Sequence, residues 1–173
     1  LAMLVGTLAI TGVGVPFSYD LLHVSIGFAG FVSKDTIIEG TFASQNSSGL
    51  FAFWALLVAA FFTSFYSWRL MFLTFFGDFR GKIDQFKNSH EPEKTMLVPL
   101  FLLSIGAIFS GMLFYSSFVG SAANDFFNDA IFNGAANHVL HDYHYVSPWV
   151  KVSPFIAMAA GFFLALYFYV FNK

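Results

Sequence analysis

The sequence predicts an all-α, polytopic transmembrane helix bundle with one discontinuous, Pro-broken helix, and three observations predict it. Charged residues make up only 10% of the 173 positions, 8 Lys and Arg with 10 Asp and Glu. A soluble domain carries about a quarter, so this chain has too few charges to coat a surface facing water. Apolar residues make up 57%, including 26 Phe, and the mean hydropathy is +0.69. The charges are also segregated: residues 1 to 19, 40 to 68, 95 to 124 and 152 to 172 carry none. Asp78, Arg80, Lys82, Asp84, Lys87, Glu91, Glu93 and Lys94 crowd one connector. A bilayer core takes about 20 apolar residues per helix, so each of the last three runs suffices for a span and the first is marginal.

The elements follow in order. Leu1 to Val15 reads as a helix rich in small residues (Gly6, Thr7, Ala9, Thr11, Gly12, Gly14), suited to close packing in lipid. Pro16 stops it, because the ring removes a backbone donor and clashes with the preceding turn. Phe17 to Ser25 is mixed in character and reads as irregular, and a second helix runs from Ile26 to Phe42 with Lys34, Asp35 and Glu39 on it. The two helices together form one broken span, and irregular backbone at membrane depth needs protein or a wet cavity around it, which points to a transport path. Gln45 to Gly49 is a polar turn before a helix over Leu50 to Phe76. Gly77 to Lys94 is a charged connector. Thr95 to Val119 spans again, with Pro99 near its start, where a missing donor costs little. Gly120 to Pro148 is a polar loop with a short surface helix around Ala123 to Phe132, and Trp149 to Asn172 is the last span.

Basic residues in short loops set orientation. Arg80, Lys82, Lys87 and Lys94 put the 77 to 94 connector on the cytoplasmic or matrix face, and the 120 to 148 loop, with no Lys or Arg, falls outside. The Gln45 turn then also lies outside. The chain opens in an apolar stretch without an initiator Met or the flanks of a secretory signal, and is read as a fragment of a longer polytopic protein.

The composition excludes several classes of function. No Cys is present, which removes disulfide scaffolds, zinc–thiolate sites and Cys-ligated iron–sulfur clusters. A net charge of −2 gives no sign of a nucleic-acid partner. Phosphate loops, nucleotide fingerprints and nucleophile triads are missing as well. His138, His141 and His144 have H-x-x-H-x-x-H spacing, but on a helix the third imidazole turns ~240° from the first, so no metal site is expected.

Lys34 is the leading candidate for function. It lies between the Pro16 break and the outer turn, where an ammonium costs about 2.5–3.5 kcal/mol to insert and burial favours its neutral form. Such a lysine can gain and lose a proton near neutral pH; the alternative is a snorkelling residue or a static ion pair. Asp35 diverges from it by ~100° and Glu39 by ~140° around a helix, so a partner for Lys34 comes from another helix. Asp35 and Glu39 share a face and form a carboxylate step toward the outer turn. His23 titrates in the right range for a proton step, with a solvated loop histidine as the alternative. Arg69 beside Trp68 reads as an interfacial arginine, and Thr63, Ser64 and Ser67 as residues bonded back to their own helix. Gly106 with Ser110 and Ala107 with Gly111 read as helix-packing notches.

These residues carry a family resemblance. The run Gly27 to Gly40, with Gly30, Phe31, Ser33, Lys34 and Asp35 at its core, follows a small-residue helix ended by Pro16; the next helix reads AAFFTSFYSWRLMFLTFFG from Ala59 to Gly77. Both resemble the distal antiporter-like subunit of respiratory complex I, called subunit L in bacteria and chain 5 in mitochondria. His90-Glu91-Pro92 and the stretch from Trp149 to Pro154 are similar to its bacterial form. The resemblance implies a proton path in which Lys34 matches a lysine releasing protons outward, Asp35 its acidic neighbour, and Pro16 the helix break. It implies a non-redox subunit of a proton-translocating NADH:quinone oxidoreductase, with no cofactor in this chain. NADH, FMN, iron–sulfur clusters and quinone would belong to partner subunits, and the surroundings would be other membrane subunits and the lipid of a bacterial inner membrane, or alternatively a mitochondrial one. An Mrp-type cation/proton antiporter subunit shares the Gly-Phe-x-Ser-Lys pattern, and a structural scaffold with Lys34 in a static salt bridge is the remaining alternative.

Overall fold

The computed structural model describes residues 1–22, 25–77, 81, 93–120, 122–128, 130–131, 134 and 137–172, with the side chains of Asp20, Leu21, Leu140, His141 and His144 excepted. Three of its helices are long and apolar enough to cross a membrane, and all three come from the uncharged runs. They are α4 (Ser47–Phe75), α5 (Lys94–Phe118) and α8 (Pro148–Leu166), the last continuing through a wider turn over Tyr167–Phe171. Before them come α1 (Ala2–Thr11), α2 (Ser18–Leu22) and α3 (Ala29–Ala43); between α5 and α8 lie α6 (Ala123–Phe127), α7 (Val139–Asp142) and a single tight turn, Tyr143–Tyr145.

Helix α1 closes earlier than the sequence predicts, and through a different residue. Gly12 adopts φ +77°, a left-handed conformation open to a residue without Cβ. Its N–H donates to the Ala9 carbonyl at 3.1 Å, and the next N–H, that of Val13, donates to Leu8 at 3.0 Å. This is the Schellman closure of a helix. The break is therefore made at Gly12, and Pro16 lies beyond it in the connector. Helix α1 has 10 residues and α3 has 15. At 1.5 Å per residue these are about 15 and 22 Å, each short of the ~30 Å hydrocarbon core.

Among the described residues, the connector between them is held by hydrogen bonds within itself, as irregular backbone in an apolar setting needs. Gly14 and Gly27 form an antiparallel rung, with Val15 N–H donating to Ile26 at 2.8 Å and Phe28 N–H to Val13 at 3.0 Å. The Ser18 hydroxyl accepts from Ile26 N–H at 2.8 Å. Inside this loop, where the sequence predicts irregular chain, lies the short helix α2.

Helix α4 begins at Ser47, inside the predicted turn, because the Asn46 side chain accepts from Gly49 N–H at 2.6 Å and caps it. Helix α6 ends at Phe127, short of the predicted Phe132, with Asn128 in a left-handed conformation. Helix α8 starts on Pro148, whose missing donor is harmless in a first turn. Pro154 further along removes the donor for the Val150 carbonyl, and the Ser153 hydroxyl supplies one at 2.8 Å.

Helix α3 is the hub, packed against α1, α4, α5, α7 and α8. Its C-terminal end meets the starts of α4 and α8 in a core of Ile38, Phe53, Leu57 and Val150. There the Phe42, Phe53 and Trp149 rings meet edge to face, with centroids 5.2 to 5.7 Å apart. Helices α4 and α8 form the longest seam. Gly161 of α8 lies so close to α4 that a Cβ there would sit 2.4 Å from the Phe61 carbonyl oxygen. The buried Ser64 hydroxyl crosses the seam to the Met158 carbonyl at 2.7 Å. The sequence assigns Ser64 to its own helix; only Thr63 of that pair bonds back, to Ala59 at 2.7 Å. In lipid, where tails are as apolar as Leu, close backbone approach and such interhelical bonds carry association.

Candidate functional site

The chain end of α1 prepares a place for a cation. The last four carbonyls of a helix have no intrahelical partner, and they form the negative end of its dipole. The Gly12 closure satisfies those of Ala9 and Leu8, leaving the carbonyls of Ile10 and Thr11 uncovered by it. The Lys34 ammonium, from the second turn of α3, donates to the Ile10 carbonyl. Its reach depends on Gly30, one turn earlier, where a Cβ would stand 1.8 Å from the Ala9 carbonyl oxygen. Gly30 thus lets α3 press against the end of α1 and brings Lys34 to it. Phe31 covers the Gly14–Gly27 rung, with no room for a Cβ on either glycine.

Asp35 and Glu39 take the other side of α3. Both line a cavity of about 60 Å³ together with Pro16, Ser18 and Ser25 of the connector. A water needs roughly 10–15 Å³ measured this way, so the space holds several. Glu39 is 9% exposed. Sequence neighbours Lys34 and Asp35 therefore serve two environments, a helix end and a polar cavity, as their ~100° divergence requires.

Four more titratable groups among the described residues line the same cavity: Tyr19 from α2, Tyr115 from α5, Tyr143 from the tight turn and Lys151 from the first turn of α8. The Tyr115 and Tyr143 hydroxyls are hydrogen-bonded at 2.9 Å, and the Tyr19 ring lies 4.5 Å from that of Tyr115. Tyr143 is 4% exposed, and burial, with the Tyr115 hydrogen bond second, holds its hydroxyl well above the usual tyrosine range. The site is thus assembled from the connector, α3, α5, the tight turn after α7 and α8.

Similarity to known proteins runs through this whole arrangement. Residues 66–124 match the family described as NADH dehydrogenase subunit 5 C-terminus. NADH-quinone oxidoreductase subunit L of Rhodobacter capsulatus is 40% identical over an alignment covering 99% of this chain and 31% of the relative. The chain belongs to the subunit L and chain 5 family. NADH-ubiquinone oxidoreductase chain 5 of Phytophthora infestans is 36% identical over 91% of the chain, and that of Chondrus crispus 38% over 99%. The chain spans about a quarter to a third of the length of these relatives, 31%, 25% and 24% respectively.

On this subunit L and chain 5 segment, the remaining candidates fall as follows. His23 lies outside the described residues, as do the side chains of His141 and His144 and most of the 77 to 94 connector. Arg69 is exposed on α4 with its guanidinium 5.6 Å from the Tyr169 ring centre, a cation–π contact with α8's last turn. Gly111 is a true notch, since a Cβ would meet the Ala29 backbone at 2.9 Å; Gly106 has nothing within 4 Å of it among the described residues. Lys151 and the Tyr115–Tyr143 pair were beyond sequence reasoning. The signal for Lys151 in the sequence is an isolated charge immediately before an uncharged run.

Proposed function

We propose that this chain is part of a proton-translocating, antiporter-like subunit of an NADH:quinone oxidoreductase. Lys34 holds the moving proton at the break between α1 and α3 and passes it toward the outer face. The observation that carries this reading is the Lys34 ammonium set on the Ile10 carbonyl at the negative end of α1. Main-chain oxygen stabilises the charged form without a fixed counter-charge, so the proton is held yet free to leave. Asp35 and Glu39, on the cavity side, supply the next acceptors, and His23 a further step.

The segment itself does no redox chemistry. NADH, FMN, iron–sulfur clusters and quinone belong to partner subunits, and its neighbours are other membrane subunits and lipid, in a bacterial inner membrane by preference and a mitochondrial one otherwise. The test is Lys34→Ala in the assembled oxidoreductase, reconstituted in vesicles. Fewer protons moved per electron pair is the expected result. An unchanged ratio supports a static scaffold, and a sodium-dependent gradient supports an Mrp-type antiporter.

A further inference from the structure

The cavity beside α3 contains more charge than a lysine relay needs. Two carboxylates one helical turn apart, Asp35 and Glu39, line it, and so does a second amine, Lys151. Lys151 stands in the first turn of α8, the end of a helix that disfavours a cation. Its place there is explained by what it faces. Among the described residues, the other titratable groups on this space are Tyr19 of α2, Tyr115 of α5 and Tyr143 of the tight turn, and the connector contributes the hydroxyls of Ser18 and Ser25. Lys34 does not line this space; it sits on the Ile10 carbonyl at the end of α1.

We propose that this cavity is the outer discharge chamber for the Lys34 proton, and that Lys151 is a positioning residue that makes the Asp35–Glu39 pair release rather than retain it. Two carboxylates sharing a site hold one proton tightly between them, whereas an ammonium alongside favours their ionised forms. Beside Lys151, a proton arriving from the Lys34 ammonium leaves a neutral amine behind, resides briefly on one carboxyl, and departs to cavity water, restoring the carboxylate. The hydrogen-bonded Tyr115 and Tyr143 hydroxyls line the route. The geometry agrees with the direction: Glu39 lies nearer than Asp35 to the outer turn, and α8 enters from that same side.

This inference rests on the transport reading above, and its test separates the two. Lys151→Gln and Lys151→Arg are made in the assembled oxidoreductase in vesicles, beside Lys34→Ala, with uncoupled NADH oxidation checking that each complex is intact. Lys151→Gln is expected to slow outward proton release roughly tenfold at neutral outer pH, the equivalent of about one pH unit of tighter holding. Release recovers as the outer pH is raised, and Lys151→Arg behaves as the unaltered protein. A Lys151→Gln complex that pumps normally at every outer pH, beside an inactive Lys34→Ala, overturns this inference alone. A normal Lys34→Ala overturns both. If Lys151→Gln fails to assemble, the unaltered complex is treated with a membrane-impermeant amine-acylating reagent from each face. Lys151 acylated from outside, with loss of pumping but not of uncoupled oxidation, supports the proposal. Acylation without loss of pumping, or from the inner face only, overturns it.

Discussion

The hydroxyls of Tyr115 and Tyr143 meet at 2.9 Å, fastening the turn after α7 to helix α5 through a hydrogen bond between two otherwise apolar side chains. Tyr115 comes from a helix whose described residues include none that is fully buried, and Tyr143 from a turn that is otherwise held by α3 and α7. The contact therefore couples a peripheral helix to the polar cavity.

Tyr143→Phe is expected to cost about 1 kcal/mol at neutral pH, the net worth of such a bond. It also changes the response to alkali. The folded protein holds the Tyr143 proton more tightly than the unfolded chain does, burial being the main cause. Its contribution is complete below about pH 10, where the unfolded tyrosine begins to ionise, and drains away as pH rises further. Thermal unfolding in detergent between pH 8 and 11 should show a steeper alkaline decline for the unaltered protein than for Tyr143→Phe. Parallel curves would contradict the burial argument.

Gly30→Ala places a methyl group in the Ala9 carbonyl, which cannot move aside as a side chain can. A loss of about 1–3 kcal/mol or more follows. Gly6→Ala on α1 is the control, since a Cβ there has nothing within 4 Å among the described residues. It should be neutral or gain up to about 1 kcal/mol from helix propensity. Denaturant titration of both variants in detergent compares them directly. Equal stability would mean that α1 and α3 do not touch at Gly30.

The α4–α8 seam predicts a graded pair. Ser64→Ala removes one interhelical bond and should cost about 0.6 kcal/mol, at most ~1.7. Gly161→Leu forces the helices apart and should cost more, because the obstacle is the Phe61 backbone. Steric trapping or denaturant unfolding in micelles ranks them; the reverse order would show that the hydrogen bond, not the close approach, holds the seam.

The parts of this fold written in local pattern are the long helices. Uncharged runs gave α4, α5 and α8 to within a few residues, because crossing a bilayer requires length and apolarity that no loop shares. The break was visible too, but assigned to the wrong residue. Pro16 is the louder signal, whereas Gly12, a glycine just past a small-residue helix, is the one that stops the chain. A rule for helix C-termini applied there would have found it. Asp35 and Glu39 could be put on one face from their spacing alone. What they face could not, since the Ser64 bond and the Tyr115–Tyr143 contact join residues 94 and 28 positions apart, and single-chain periodicity has no access to such pairs. Lys151 was hidden for the same reason.

Because the group that receives the Lys34 ammonium is main chain, it is shared by every amino acid that position 10 could carry. Side-chain scanning of α1 would pass over it without effect and report that the lysine has no counterpart. Only an edit to the polymer itself, such as an ester in place of the amide after Ile10, which weakens that oxygen as an acceptor, would reveal the dependence.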